Sequence, residues 1–235
     1  MPGKVVVVVG AVGGVGASTL AALLAASMAS GPGTTVLIDG DPAHGGVEVL
    51  LGVEGQQGAR WPDLGGVRAV IDAGELNGVL PRWRGVEVLS ADRRAALDPA
   101  ALQAVLNSLL VARETVVVDL PGHVLLGRPP AAFLTLIESS SVLVVTGQDV
   151  LGVCGALMVR EAVGPSRARL VLRRRRNPRV APAEAAAVVG LRVAAMLPTD
   201  RRLADAVEAG LGPTAVGWSP LARAVNRLAR GLEDG

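Results

Sequence analysis

The chain is 235 residues long and half of it is hydrophobic, which suits one α/β domain with a covered core over residues 1–235 and leaves too little for two. Lys and Arg number 23 against 21 Asp and Glu, so net charge points to no acidic or nucleic-acid partner. Cys154 is the one cysteine, which excludes an intrachain disulfide; nothing suggests an oxidising compartment, and the expected location is the cytoplasm.

At the N-terminus, Lys4 precedes a long apolar stretch that ends near ASMAS and has the outline of a signal peptide. Five consecutive valines running into a glycine cluster are instead strand-then-turn chemistry. Lys4 is the sole lysine, so every other basic residue is arginine. The first strand is expected over residues 5–9 and the first helix over 18–28. Further strands are expected at 35–38, 86–89, 115–120, 142–146, 169–172 and 192–197. Between them, helices are expected at 99–113, with Asp98 as N-cap and Pro99 at the first helical position, then at 150–163, 182–189, 201–209 and 220–232. Residues 53–84, rich in Gly and Pro, read as an irregular surface excursion. The strands are nearly all apolar, which requires burial on both faces. The expected fold class is therefore α/β, a doubly wound, mostly parallel sheet with helices on both faces.

The stretch GAVGGVGASTLAALLA follows the first strand and opens the first helix. That is the setting of a phosphate loop: backbone N–H groups of Gly13, Gly14 and Gly16 can wrap an anion, and the helix N-terminus adds its positive end. The strict pattern is broken, because Ala11 takes the first glycine position and Ala17 the lysine position, while Gly16 and Ser18 fit. Asp39 and Asp41 close the second strand and Asp119 ends the fourth, where ligands of open α/β sheets sit. A buried strand ending in Asp beside such a loop commonly holds magnesium, with the loop hydroxyl on the metal. Ser18, Asp119 and Asp39 are the candidate metal ligands.

Other features carry weaker signals. His44 and His123 each follow an acidic motif and read as solvated loop histidines, since no cysteine cluster accompanies them. The arginine run 173–176 reads as a solvated basic turn, with the alternative that an arginine there substitutes for the missing loop lysine. In the last helix Leu221, Val225, Leu228 and Leu232 form one stripe opposite Arg223, Arg227 and Arg230. That stripe has no aromatic residue, so packing on the domain is expected over membrane binding.

Taken in order, GGVGAST, IDGDPAHGGVEVLLG, VVVDLPG and MLPTDRRLADAVEAG resemble the MinD/ParA family of deviant Walker A ATPases, most closely its CpaE/TadZ-like branch, over essentially the whole chain. The resemblance implies a P-loop NTPase-like domain that uses ATP and Mg2+. It implies that Gly13, Gly14, Val15, Gly16, Ala17, Ser18 and Thr19 hold phosphates. Asp41 would lie in the first switch and position the attacking water, Asp119 would begin the second, and Pro198 and Asp200 would border the base. Arg173 stands near the position of the family's base-contacting asparagine. Relatives of this branch often carry a receiver-like N-terminal domain, which is expected to be absent here.

The family's ATP lies between the protomers of a homodimer, with a signature lysine crossing to the partner's phosphates. Here Val12 takes that position, and Ala17 that of the loop lysine. A charged hydrogen bond contributes roughly 1.5–3 kcal/mol, while positive groups in phosphoryl transfer are worth on the order of 10³–10⁵ in rate. Hydrolysis should therefore suffer more than binding. The implied function is ATP-dependent positioning or assembly, for septum-site placement or Flp pilus and secretion-system localisation, with division-site or secretion proteins as partners and peripheral membrane association. The competing readings are a pseudo-ATPase scaffold and a ParA-like partition factor that binds DNA non-specifically. Nucleic acid is the disfavoured partner, since Trp61, Trp83, Trp218 and Phe133 are the only aromatics and no basic-aromatic interleaving surrounds them.

Overall fold

The valine run becomes the centre of the sheet. A computed structural model describes residues 3–29, 34–41, 46–72, 74–92, 99–213 and 219–233, so Asp98, His44 and Trp218 lie outside the described residues. Strand β1 (Lys4–Gly10) runs parallel to both its neighbours, β5 (Thr115–Pro121) and β6 (Ser141–Gly147). Alternate side chains of a strand point to opposite faces. Val6 and Val8 accordingly join the core beneath α1 (Ala17–Met28) and α9 (Pro220–Glu233), while Val7 and Val9 join the core that holds Leu106, Phe133 and Val153. All four valines are fully buried, which is why the strand shows no polar alternation.

Sheet order is β3-β4-β2-β5-β1-β6-β7-β8, adding β2 (Thr35–Asp39), β3 (Arg82–Trp83), β4 (Val86–Leu89), β7 (Ala168–Arg173) and β8 (Val193–Leu197). Each expected strand forms. The fold is the doubly wound, mostly parallel one expected. The chain moves outward from β1 in one direction through β5, β2 and β4, and in the other through β6, β7 and β8. The crevice at the carboxyl end of β1 is thus a topological switch point, where ligands of open α/β sheets bind.

The sequence reading missed some short elements. Strand β3 is an antiparallel edge, joined to β4 by Arg84 and Gly85 at φ of 50° and 84°; the non-glycine residue at positive φ hid this turn. Helices α2 (Val47–Leu51), α4 (Gly122–Leu126) and α5 (Ala131–Ser139) were also absent from it. Helices α3 (Pro99–Ala112), α6 (Val150–Val163), α7 (Pro182–Val189) and α8 (Arg202–Glu208) match their expected places within two residues. In α9 the stripe Leu221, Val225, Leu228 and Leu232 is buried against the domain, as expected. Among the described residues no helix is long and apolar enough to cross a membrane.

Residues 53–84 are not merely a surface excursion. Arg60, Trp61, Leu64, Leu76, Leu80 and Trp83 are buried, and the irregular backbone is held by side chains rather than by ladders. The Arg60 guanidinium donates to Glu48 Oε2 at 3.1 Å and to the carbonyls of Gly58 and Val53, each at 2.9 Å. Trp61 Nε1 donates to the carbonyl of Asp39 at 2.8 Å, at the end of β2. Trp61→Phe deletes that bond and leaves a void where the fused ring of a wholly buried indole sat. It should cost about 2–3 kcal/mol in chemical denaturation; an unchanged midpoint would show that neither the bond nor the packing contributes.

Candidate functional site

The loop after β1 enters α1 through left-handed glycines, Gly14 at φ 70° and Gly16 at φ 90°, a conformation that disfavours any residue with a Cβ. Gly16 is the N-cap of α1 and no side chain caps the helix. The first helical bond runs from Leu20 N to Gly16 O at 3.0 Å, so the amides of Ala17, Ser18 and Thr19 have no intrahelical acceptor. A Cβ placed on Gly13 or Gly14 would meet nothing within 4 Å. The loop is therefore an open cradle of N–H donors at the positive end of a helix, built to complete itself with an anion.

Parallel pairing sets the acidic groups opposite one another. Asp39 of β2 is in register with Asp119 of β5, and each is only 3% exposed. Asp39 Oδ1 accepts from Asp41 N at 3.0 Å, while its Oδ2 has no partner among the described residues. Burial pushes the Asp39 carboxyl up to about 7, with the Asp119 charge adding to the rise. Burial likewise pushes Asp119 up to about 6, opposed by a hydrogen bond from Ser18. Two buried carboxylates, one with an orphaned oxygen, beside a serine hydroxyl form a donor set that fits a hard cation. No group of three or more His, Cys, Asp or Glu gathers as ligands among the described residues.

These residues share one cleft of about 760 Å³ with Gly13, Ala17 and Asp41. Asp41 is buried and pairs with His123 Nε2 at 2.9 Å. His123 is thus not simply a solvated loop histidine: although its side chain is 65% exposed, it ties the start of α4 to the end of β2. Its place just after the strand that ends in Asp119 was the signal for that contact. His44 lies outside the described residues.

The basic turn is likewise engaged rather than merely solvated. Arg173 Nη1 donates to the Gly14 carbonyl at 3.3 Å, and Arg175 Nη1 pairs with Asp149, the N-cap of α6. A second cleft of about 530 Å³ joins the loop at Gly16 and Thr19 and is walled by Leu20, Leu203 and Val207, with Pro198 and Asp200 at its edge. Its apolar walls suit a flat ring. Asp200 also serves its own backbone, accepting from Arg202 N at 3.1 Å. Val15 differs from the rest of the loop in being buried in the core. Val12 is 36% exposed at the loop's outer edge. Lys4 begins the strand whose other end, Gly10, leads into the loop, so at about 3.3 Å per residue it stands roughly 20 Å away.

No protein-family model matches the chain. Two uncharacterized proteins of Mycobacterium tuberculosis, one from each of two strains, are 34% identical to it over 212 residues, 88% of this chain. The chain spans 58% of the length of these curated relatives. Among solved structures, the ParA family ATPase of Chlorobium tepidum superposes with a TM-score of 0.81 at 16% identity, over 97% of this chain and 98% of that one. The chain has the fold of the MinD/ParA ATPases. The septum site-determining protein MinD of Pyrococcus horikoshii, complexed with Mg-ADP, gives a TM-score of 0.75 at 18% identity over 99% and 96%. MinD in the MinC:MinD complex of Aquifex aeolicus gives 0.76, also at 18%, over 99% and 96%. In this MinD/ParA fold the loop, Asp39, Asp119 and the apolar cleft meet at the switch point of the sheet.

Proposed function

We propose that the chain is a positioning or assembly factor of the MinD/ParA class that binds ATP with magnesium at the switch point and hydrolyses it slowly. The observation that carries this reading is the meeting, in one cleft, of an uncapped glycine loop with two buried strand-end carboxylates. The amides from Gly13 to Thr19 hold the phosphates, and Pro198 and Asp200 border the base. Magnesium would supply neutralising charge along the phosphate chain, and Ser18, Asp119 and Asp39 are the residues that would hold it. Asp41 orients the attacking water and is itself oriented by His123.

Slow turnover follows from Val12 and Ala17, which leave the cleft without either family lysine. A homodimer that closes over the nucleotide fits this class, and the MinC:MinD complex is a precedent for protein partners in a structural neighbour. The motif resemblance to the CpaE/TadZ-like branch favours septum-site placement or pilus and secretion-system localisation, in the cytoplasm and at the inner face of the membrane. The terminal helix is not the anchor in this conformation, because its apolar stripe is buried against the domain.

The second reading, a pseudo-ATPase scaffold, is favoured by the same lost lysines and by an exposed stripe on α6 formed by Leu151, Cys154 and Met158. Calorimetric titration with ATP and ADP, with and without magnesium, separates the two. Binding that tightens with magnesium supports the ATP reading. No heat at millimolar ATP with magnesium leaves the scaffold. A mobility-shift assay across a salt series tests the DNA-binding alternative: a retarded band that weakens steeply with salt would favour partition.

A further inference from the structure

With one lysine in the chain, and that one at the far end of β1, any fixed cation on the phosphates must be a guanidinium. Arg173 ends β7, level with Gly147 of β6 and Leu197 of β8, so the sheet delivers it to the same edge as the loop. Its Nη1 touches the loop on both sides of Val15: it lies 3.3 Å from Gly14 O and would lie 3.4 Å from a Cβ on Gly16. It also borders both the cleft of the loop and the apolar cleft beside it. Arg175, two residues on, is paired with Asp149.

Arg173 has no ion-pair partner among the described residues. Its one side-chain hydrogen bond among the described residues is to the neutral Gly14 carbonyl, which an anionic oxygen displaces readily because charge-assisted bonds are the stronger ones. Independently, Asp39 lines the same cleft, and its buried Oδ2 has no hydrogen-bond partner among the described residues. One cleft thus holds a carboxylate oxygen in want of a cation and a guanidinium in want of an anion. A phosphate chain carrying a divalent ion satisfies both.

We infer that Arg173 is a phosphate ligand in cis, a guanidinium that takes over from within one protomer the charge role left empty at positions 12 and 17. This rests on the nucleotide reading above. Two consequences follow. The Arg173 contact is made within one protomer, so it does not itself require the homodimer to form. Discrimination between bases is weak, because an anion-seeking side chain stands where the two clefts meet.

The test is calorimetric titration of magnesium-ATP and magnesium-GTP into the parent, Arg173→Gln, Arg173→Lys and Arg175→Gln, at low and high salt, with circular dichroism to confirm folding. Glutamine at 173 ends about two bonds short of Nη1 and so removes both the charge and the bond to the Gly14 carbonyl; the salt dependence separates the two, since only the loss of a charge on the phosphates flattens it. The expected result is a loss of about tenfold or more in Arg173→Gln, partial recovery in Arg173→Lys, and less than threefold change in Arg175→Gln. The salt dependence should flatten in Arg173→Gln alone, and the parent should bind the two nucleotides within about tenfold of each other. Equal affinity of parent and Arg173→Gln at both salts overturns the inference while leaving nucleotide binding intact. No binding by the parent overturns the nucleotide reading itself, and the inference with it.

Discussion

Asp39→Asn is expected to raise the melting temperature of the metal-free protein at pH 8 and to remove most of the ATP affinity that magnesium contributes. Asparagine fills the same volume and keeps an oxygen for the Asp41 amide, but carries no charge into a site that is 3% exposed. In the parent, burial raises this carboxyl from 3.8 to about 7. A raised carboxyl means that the folded state holds a proton which the unfolded state has released. The associated stability is present in full below about pH 4 and is lost as pH rises through about 7, and through about 6 for Asp119. One pKa unit corresponds to about 1.4 kcal/mol, so ionised Asp39 costs the metal-free fold on the order of 4 kcal/mol at pH 8, and a cation offsets that cost. The check is thermal denaturation at pH 5 and pH 8, with and without magnesium. The parent should lose stability between the two pH values and regain it with magnesium and ATP; Asp39→Asn should lose only the share that belongs to Asp119 and regain correspondingly less. A melting temperature at pH 8 at or below the parent's would show that the carboxylate is satisfied as it stands. Asp119→Ala should likewise abolish the magnesium-dependent gain in affinity with the fold intact, and unchanged affinity would remove Asp119 from the site.

Ala17→Lys is expected to tighten magnesium-ATP by roughly 10- to 100-fold, the size of one charged hydrogen bond of about 1.5–3 kcal/mol. Ala17 opens α1 and lines the cleft of about 760 Å³, so a long side chain there has room to reach the phosphates. Adding Val12→Lys should raise turnover further if two protomers meet across the nucleotide, because Val12 already stands exposed at the loop's outer edge. If neither variant gains affinity and the parent binds no nucleotide at millimolar ATP, the loop is a relic and the function resides on a partner-binding surface. Affinity restored without turnover would instead place the defect in the orientation of water by Asp41.

The strands were legible because each is apolar on both faces and ends in Gly, Pro, Asp or Arg, and the loop because its glycines stand between a strand and a helix. Asp39 and Asp119 could be named as strand ends, but that they face one another in register depends on β5 lying between β1 and β2, which no local pattern encodes. The burial of Trp61 and Arg60 was hidden for a similar reason. Their segment has no period, and its backbone is satisfied by a guanidinium and an indole instead of a ladder. Helix α5 did carry a signal, since Phe133, Leu136 and Ile137 fall at helical spacing after Pro130. The flanking Gly and Pro masked it.

The bond from Trp61 to the Asp39 carbonyl has an optical consequence. A wholly buried indole whose N–H ends at the backbone of the residue carrying the most strongly raised carboxyl gives the molecule its own fluorescent gauge. Any event that changes charge at that carboxyl, whether a proton or a cation, alters the field across the ring and so the colour of its emission. With Trp83 and Trp218 replaced by phenylalanine, the state of the cleft can thus be followed in solution without a label.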